Sequence, residues 1–223
     1  MTRARVLGAA LAAGLVLAAP AAADPGCPGA DTVAGAQDAG ALAGPTLCLL
    51  NAERRAAGLR PVGGQQKLAA AAARFSAAMV RERYFEHRAP GGPDLTGRLT
   101  LARYLSRSTT PWIVGENLAW ARGGAATPRG IVAQWMASPG HRRNILEPAF
   151  RDIGVGVAGG SPGDPGEGVT VTTDFGARWL GRDRPRRVRC RFLGVPIHAQ
   201  RLVRVAPPRR PPVCAGAPNP QGE

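Results

Sequence analysis

The fold of this 223-residue chain is decided by the stretch from Val114 to Val157. It reads Gly115-Glu116-Asn117-Leu118-Ala119-Trp120, then Trp135-Met136-Ala137-Ser138-Pro139-Gly140-His141-Arg142-Arg143-Asn144-Ile145-Leu146, then Asp152-Ile153-Gly154-Val155-Gly156-Val157. Acidic, imidazole, amide and indole groups gather here, whereas much of the remaining chain is alanine, glycine and arginine. We therefore look for the functional residues in this stretch and near it.

Helices are predicted on both sides of its first motif. Leu68, Ala72, Phe75 and Met79 recur at helical spacing and predict a helix over 65–83. Thr127 followed by Pro128 is typical of a helix start, because the hydroxyl caps and proline fits the first turn. Further helices are predicted from Pro45 to Ala57, ending at Gly58, from Leu95 to Leu105, and from His141 to Leu146. Trp120 and Trp135 are predicted to belong to the core.

Two strands are predicted after these helices. Ile153, Val155 and Val157 alternate with glycines. In the segment 169–175, Val169, Val171, Thr173 and Phe175 alternate with Thr170, Thr172 and Asp174. A strand with a glycine face lets another element approach its backbone closely. Helices followed by strands, without repeated alternation of the two, predict an α+β layered domain. Two more strands are predicted in the tail, at 188–192 and 201–205.

The N-terminus has the pattern of a secretory signal. Arg3 and Arg5 precede an apolar run from Leu7 to Ala19, and Ala21-Ala22-Ala23 is typical of a cleavage site. The alternative is an uncleaved membrane anchor, but the run is rich in alanine and glycine and is broken by Pro20. We predict a secreted protein that is cleaved near Ala23 and does not span a membrane afterwards.

Four cysteines in an exported chain indicate two disulfides. Three pairings are possible, and we favour Cys27 with Cys48 and Cys190 with Cys214, because each pair is close in sequence. Metal binding by the thiolates is the alternative, but no two cysteines have the C-x-x-C spacing.

Positive charge is concentrated in the tail. The chain has a formal net charge of +14, and residues 182–223 hold ten arginines but only two acidic residues. Such a cluster attracts anionic lipids or cell-envelope polymers. We do not expect nucleic-acid binding, because the chain is predicted to be exported and its arginines lack interleaved aromatic residues. We expect a monomer.

Taken together, these motifs resemble the CAP superfamily (the SCP or PR-1 domain), in particular its bacterial secreted YkwD-like members. The resemblance covers about Leu47 to Phe175 and includes Leu50-Asn51-Ala52-Glu53-Arg54-Arg55 and Phe85-Glu86-His87. It implies a three-layer α–β–α sandwich with a small antiparallel sheet. We accordingly divide the chain into a signal peptide (1–23), a disulfide-pinned segment (24–44), a CAP domain (45–178) and a basic extension (179–223).

The resemblance also implies a cleft lined by two histidines and two glutamates. By motif, His87 and His141 match the histidines and Glu116 matches one glutamate. The second glutamate is missing, and Ser138 lies nearest to its position. Asn117 and Arg142 are predicted to contribute to ligand binding beside them.

Three functions are open for these residues. We favour a non-catalytic extracellular module that binds a lipid or cell-envelope ligand. A hydrolase or zinc-dependent activity using His87, Glu116 and His141 is the alternative, although no G-x-S-x-G motif surrounds Ser138 and no H-E-x-x-H motif is present. We expect no required cofactor, and at most weak binding of a divalent metal such as zinc by His87 and His141.

Overall fold

The computed structural model describes residues 26–33, 35, 38–105 and 111–179, and the backbone of 203–205. The predicted signal peptide, the predicted Cys190–Cys214 disulfide and the predicted strand at 188–192 lie outside these residues. The helices described are α1 (Ala43–Ala56), α2 (Gln66–Arg81), α3 (Leu95–Leu101), α4 (Pro128–Ala137) and α5 (Pro139–Ile145). The strands described are β1 (Gly63–Gly64), β2 (Trp112–Ala121), β3 (Asp152–Gly159), β4 (Val169–Arg178) and β5 (Val203–Val205).

The residues that predicted helix starts in the sequence lie at the N-cap or in the first turn of helices in the structure. Thr127 caps α4, with its hydroxyl accepting from the backbone N–H of Gly130 and Pro128 at the first helical position. Pro45 lies in the first turn of α1, where its missing N–H costs nothing. A short 3-10 helix, Ala39–Leu42, leads into α1, so the helix begins two residues earlier than predicted.

The strands form one sheet in the order β1-β3-β4-β2-β5. The central β4 pairs antiparallel with both β3 and β2, whereas the two-residue β1 pairs in parallel with β3. The sheet is therefore mixed, which corrects the purely antiparallel sheet that the resemblance implies. The backbone of β5, which lies within the strand predicted in the tail, pairs with Trp112, Ile113 and Val114 at the outer edge of β2.

One face of the sheet is covered by α2 and α3. A Cβ on Gly154 would lie 2.1 Å from the backbone nitrogen of Ala69, and one on Gly156 would lie 2.0 Å from that of Ala73. The glycine face of β3 is thus what allows α2 to lie directly on the sheet, as the sequence predicts. Leu95 and Leu99 of α3 pack beside α2 against Val114.

The opposite face of the sheet carries the larger apolar core. Trp135 of α4 is fully buried there, and its indole Nε1 donates to the carbonyl of Leu118 at 2.9 Å. Core residues from α1, α4, α5 and the sheet include Leu49, Leu50, Ile131, Val132, Ile145, Phe150, Ile153, Val155, Val171 and Phe175. Helices on both faces give the α–β–α sandwich of the α+β class. Trp120 was predicted to be in the core but is 38% exposed, because it lies near the end of β2.

The N-terminal segment is held against the helices. Cys27 and Cys48 form a disulfide that joins this segment to α1. Asp31 accepts two hydrogen bonds from the guanidinium of Arg129 at 2.7 and 3.0 Å, and the backbone N–H of Arg129 donates to the carbonyl of Ala30. The segment therefore bridges α1 and the start of α4. None of the described helices is long and apolar enough to cross a bilayer.

Candidate functional site at the Glu116 carboxylate

Glu116 lies at the centre of the candidate site, in the middle of β2. Glu116 is only 3% exposed, so its carboxylate needs hydrogen-bond partners within the protein. The neighbouring Gly115 is packed against the ring of Phe150 and the amide of Asn144, where a Cβ would lie 2.9 Å from Phe150. Glycine at this position lets β2 lie close to the helices on the core side, while Glu116 points to the α2 side.

Two cationic or imidazole groups bind the carboxylate of Glu116. Nδ1 of His87 lies 2.7 Å from Oε1, and Nη2 of Arg98 donates to Oε2. Because an ionised carboxylate only accepts, Nδ1 of His87 carries a proton, and in the neutral ring Nε2 keeps its lone pair. The His87 side chain is 33% exposed, so this imidazole can meet a ligand from solvent.

Arg98 links three elements of the site. It lies on α3 with a side chain that is 10% exposed, and its guanidinium stacks 3.5 Å above the centroid of the Phe75 ring on α2. Its Nη1 donates to the backbone carbonyl of His87 at 2.9 Å. The same guanidinium therefore holds both the carboxylate of Glu116 and the loop that carries His87.

Asp174 is the direct cross-strand partner of Glu116 in the pairing of β2 with β4. It is fully buried, and neither carboxyl oxygen accepts a hydrogen bond from the described residues. Burial, followed by the charge of Glu116, raises the pKa of Asp174 well above its usual range, although Arg98 opposes this. The surroundings of Asp174 thus favour its protonated form over the carboxylate.

Two asparagines fasten α5 to β2. The side-chain amide of Asn117 donates to the backbone carbonyl of His141 at 3.1 Å. The amide of Asn144 donates both to the backbone carbonyl of Glu116 and to Oδ1 of Asn117, at 3.0 and 2.9 Å. Asn117 therefore positions the backbone of α5 and is buried, although the sequence assigned it to ligand binding.

His141 lies near His87 but has its own environment. Its Nδ1 is buried and has no hydrogen-bond partner among the described residues. Burial, and to a lesser degree the charge of His87, lowers the pKa of His141 to about 4, so the ring is neutral at physiological pH. The structure gives no hydrogen bond between this ring and Glu116 within the part of the chain that it describes.

The remaining predicted site residues lie at the junction of α4 and α5. Ser138 ends α4 and begins α5, and its hydroxyl makes no capping hydrogen bond. Arg142 is exposed on α5 and lines a surface groove instead of the Glu116 site. The motif Trp135–Leu146 thus supplies residues to two places, the Glu116 site and this groove.

The groove between α4 and α5 has a volume of about 530 Å³, which is in the range of small-molecule sites. It is lined by Met136, Ala137, Pro139, Arg142, Arg143, Leu146, Glu147 and Pro148. Its walls are mostly apolar and carry two arginines against one acid, Glu147, so positive charge prevails and the groove suits an amphipathic, anionic molecule. A smaller groove of about 360 Å³ lies on the other side of the sheet and includes Lys67, Arg74 and Arg103.

The carboxylate of Glu116 is not free to bind a divalent metal. Both carboxylate oxygens of Glu116 are already engaged by His87 and Arg98. Across 26–33, 35, 38–105 and 111–179, no three His, Cys, Asp or Glu residues are grouped so that they could hold a metal ion.

Arg98 and Asp174 were missed by the sequence reasoning. Arg98 lies in a short helix among residues of no evident motif, so nothing in the pattern distinguishes it from a solvated arginine. Asp174 did carry a signal, because a strand covered by helices on both faces buries every residue and an acid there needs a partner.

The comparisons with known proteins agree with this architecture. The model of the CAP family, described as the cysteine-rich secretory protein family, matches residues 47–175. YkwD of Bacillus subtilis, an uncharacterised protein, is 38% identical over 111 residues, which are 48% of this chain and 39% of YkwD.

Solved structures are similar as well. An extracellular protein containing an SCP domain from Bacillus anthracis matches with a TM-score of 0.50 and 24% identity, over 62% of this chain and 41% of that chain. An outer surface protein of Borrelia burgdorferi matches with a TM-score of 0.48 and 16% identity, over 60% of this chain and 90% of its own. This chain therefore spans less than half the length of the Bacillus relatives.

Proposed function

The chain belongs to the CAP, or cysteine-rich secretory protein, family, and on that basis we propose that it is a secreted, non-catalytic module that binds an anionic lipid of the cell envelope. The observation that carries the proposal is the groove between α4 and α5. Its apolar walls can bury an acyl chain, and Arg142 and Arg143 can bind the anionic head group.

The state of the Glu116 site supports a structural role for that site. Glu116 is bound by His87 and Arg98, and the backbone around it is tied to α5 by Asn117 and Asn144. These contacts fix the position of α5, and other residues of α5 line the groove. The Glu116 site thus holds the groove in shape from one side.

Secretion rests on the sequence and the disulfide. The signal-like segment at 1–23 predicts export. The Cys27–Cys48 disulfide fits an oxidising compartment, since structural disulfides are rare where thiols are kept reduced. The related protein of Bacillus anthracis is described as extracellular. We propose the same location for this chain.

The proposal is tested by binding of an anionic fatty acid with a fluorescent label to the purified chain. The double variant Arg142→Gln/Arg143→Gln is expected to weaken binding by about tenfold or more, because both head-group contacts are lost. The matched control is Arg74→Gln/Arg103→Gln, which removes the same charge from the smaller groove. Equal loss in both double variants would mean non-specific attraction to positive charge, and the groove proposal would be wrong.

A hydrolase is the second candidate, favoured by one observation. The carboxylate of Glu116 orients His87 through Nδ1 at 2.7 Å, which is how an acid orients a general-base histidine. A panel of ester and peptide substrates tests this. Turnover that disappears in His87→Ala but persists in Arg142→Gln/Arg143→Gln would favour the hydrolase over the binding module.

A further inference from the structure

The family resemblance implies a cleft in which histidines and acids could share a metal ion, and the residues of this chain do not fit that role. Glu116 contacts His87 through one carboxylate oxygen, and Arg98 already occupies the second. His141 makes no hydrogen bond to Glu116 among the described residues, and its buried Nδ1 has no partner. The positive charge that balances the Glu116 carboxylate therefore comes from a group other than a metal ion.

We propose that the guanidinium of Arg98 takes the place of a divalent metal in this cleft, so that Glu116 and His87 are organised without a metal ion. Arg98 approaches Glu116 from the α2 side and contacts Oε2. A metal bound by Glu116 and His87 would have to displace this guanidinium or place two further charges beside it. Either requirement opposes metal binding.

Several contacts hold the guanidinium of Arg98 in one position. Its side chain is 10% exposed and its planar group lies 3.5 Å above the Phe75 ring, which fixes the plane of the fork. Nη1 donates to the carbonyl of His87 while Nη2 binds Glu116. A guanidinium has a delocalised charge and directed donors, so it can neutralise a buried carboxylate and hold a loop together. A metal ion would supply the first of these functions but would not stack on Phe75.

Arg98 is therefore a positioning residue for the His87–Glu116 pair. Its removal leaves a buried carboxylate with an imidazole on one oxygen and a vacant second oxygen. Carboxylate and imidazole are both ordinary zinc ligands. The inference thus predicts that metal affinity is latent in the chain and is blocked by one side chain.

Zinc titration by calorimetry tests the inference in five forms of the full chain: wild type, His87→Ala, Arg98→Met, Arg98→Lys and Arg98→Met/His87→Ala. We expect the wild type and His87→Ala to take up the same amount of zinc. Any zinc that both forms bind is then bound elsewhere in the chain. Arg98→Met is expected to gain a site about tenfold or more tighter than the wild type. The gain is expected to vanish in Arg98→Met/His87→Ala and to be absent in Arg98→Lys, which keeps the positive charge.

Two results would overturn the inference. One is a stoichiometric zinc site in the wild type that His87→Ala removes. The other is a folded Arg98→Met variant that gains no zinc dependent on His87. If Arg98→Met does not fold, Arg98→Gln replaces it and is judged by the same two criteria, with Co²⁺ absorption in place of calorimetry. Neither readout depends on lipid binding, so failure of the groove proposal is distinguishable from failure of this one.

Discussion

Asp174 and Glu116 face each other across the antiparallel pair of β4 and β2, and both are buried. Ionising two adjacent buried carboxylates costs a large amount of free energy, so ionisation of one raises the pKa of the other. Glu116 has Arg98 and His87 as partners, whereas Asp174 has no donor among the described residues. Burial and the charge of Glu116 therefore raise the pKa of Asp174 well above its usual range.

Asp174→Asn is expected to raise the free energy of unfolding at neutral pH. The folded protein keeps Asp174 protonated well above the pH at which the unfolded chain releases that proton. Between the unfolded pKa of about 4 and the raised folded pKa, the wild type loses stability as pH rises. Asparagine has no titratable proton to lose, so the variant should lack this slope.

Urea denaturation from pH 4 to pH 8 measures this slope. Asp38→Asn is the matched control, because Asp38 is exposed on the N-terminal segment. Asp174→Asn should differ from the wild type increasingly toward high pH, and the control should not. A variant that is less stable than the wild type at pH 8 would show that Asp174 is ionised.

His141 gives a slope of the opposite sign. Its lowered folded pKa of about 4 means that the unfolded chain binds more protons than the folded protein between pH 4 and about 6.5. Stability is therefore fully present above about pH 6.5 and is lost as pH falls, by about 1–3 kcal/mol for a half-buried ring. His141→Gln should abolish this acid loss, as measured by the same denaturation series. An unchanged acid slope in His141→Gln would contradict the assignment.

The glycine face of β3 sets the distance between α2 and the sheet. Gly156→Ala should destabilise the protein by more than about 3 kcal/mol, because the added Cβ would lie 2.0 Å from the backbone of α2 and neither element can move alone. Gly163→Ala is the matched control, since nothing lies within 4 Å of a Cβ at that position. Thermal denaturation of the two variants compares them, and similar melting temperatures would contradict the close contact.

The sequence predicted the parts of the fold that depend on local periodicity. The strands around Gly154 and Thr172 alternate clearly, and α2 repeats an apolar residue every third or fourth position. It did not predict β2 as a strand, because Gly115, Glu116 and Asn117 are weak strand formers in its middle. That segment is held as a strand by pairing with β4 along its whole length, which is a tertiary effect.

Only part of the candidate site was predicted, and the reason is again that its contacts are tertiary. Motif matching assigned Glu116 and His87 to one place, and the structure joins them. Arg98 and Asp174 reach Glu116 from elements far away in sequence, and their partners cannot be identified from spacing alone. The buried Arg54 is a similar case. It lies in a recognised motif, but two of its hydrogen-bond partners lie 91 and 93 residues further along the chain.

Arg54 connects α1 to the end of α5. It is fully buried, its Nη1 donates to the carbonyls of Ile145 and Glu147 at 2.6 and 3.0 Å, and its Nε donates to the carbonyl of Arg60. Arg54→Met leaves these carbonyls without a donor and should lower the free energy of unfolding by about 3 kcal/mol or more. Arg55→Met, at the adjacent exposed position, should change it by less than about 0.5 kcal/mol.

The effect of Arg54→Met should extend to the groove. Glu147 and the adjacent Leu146 line it, so loss of the capping contacts at the end of α5 is expected to weaken binding of the labelled fatty acid even at a temperature where the variant is folded. Circular dichroism establishes the folded fraction, and the binding titration is then made under the same conditions. Full binding by a folded Arg54→Met variant would show that the groove does not depend on how α5 ends.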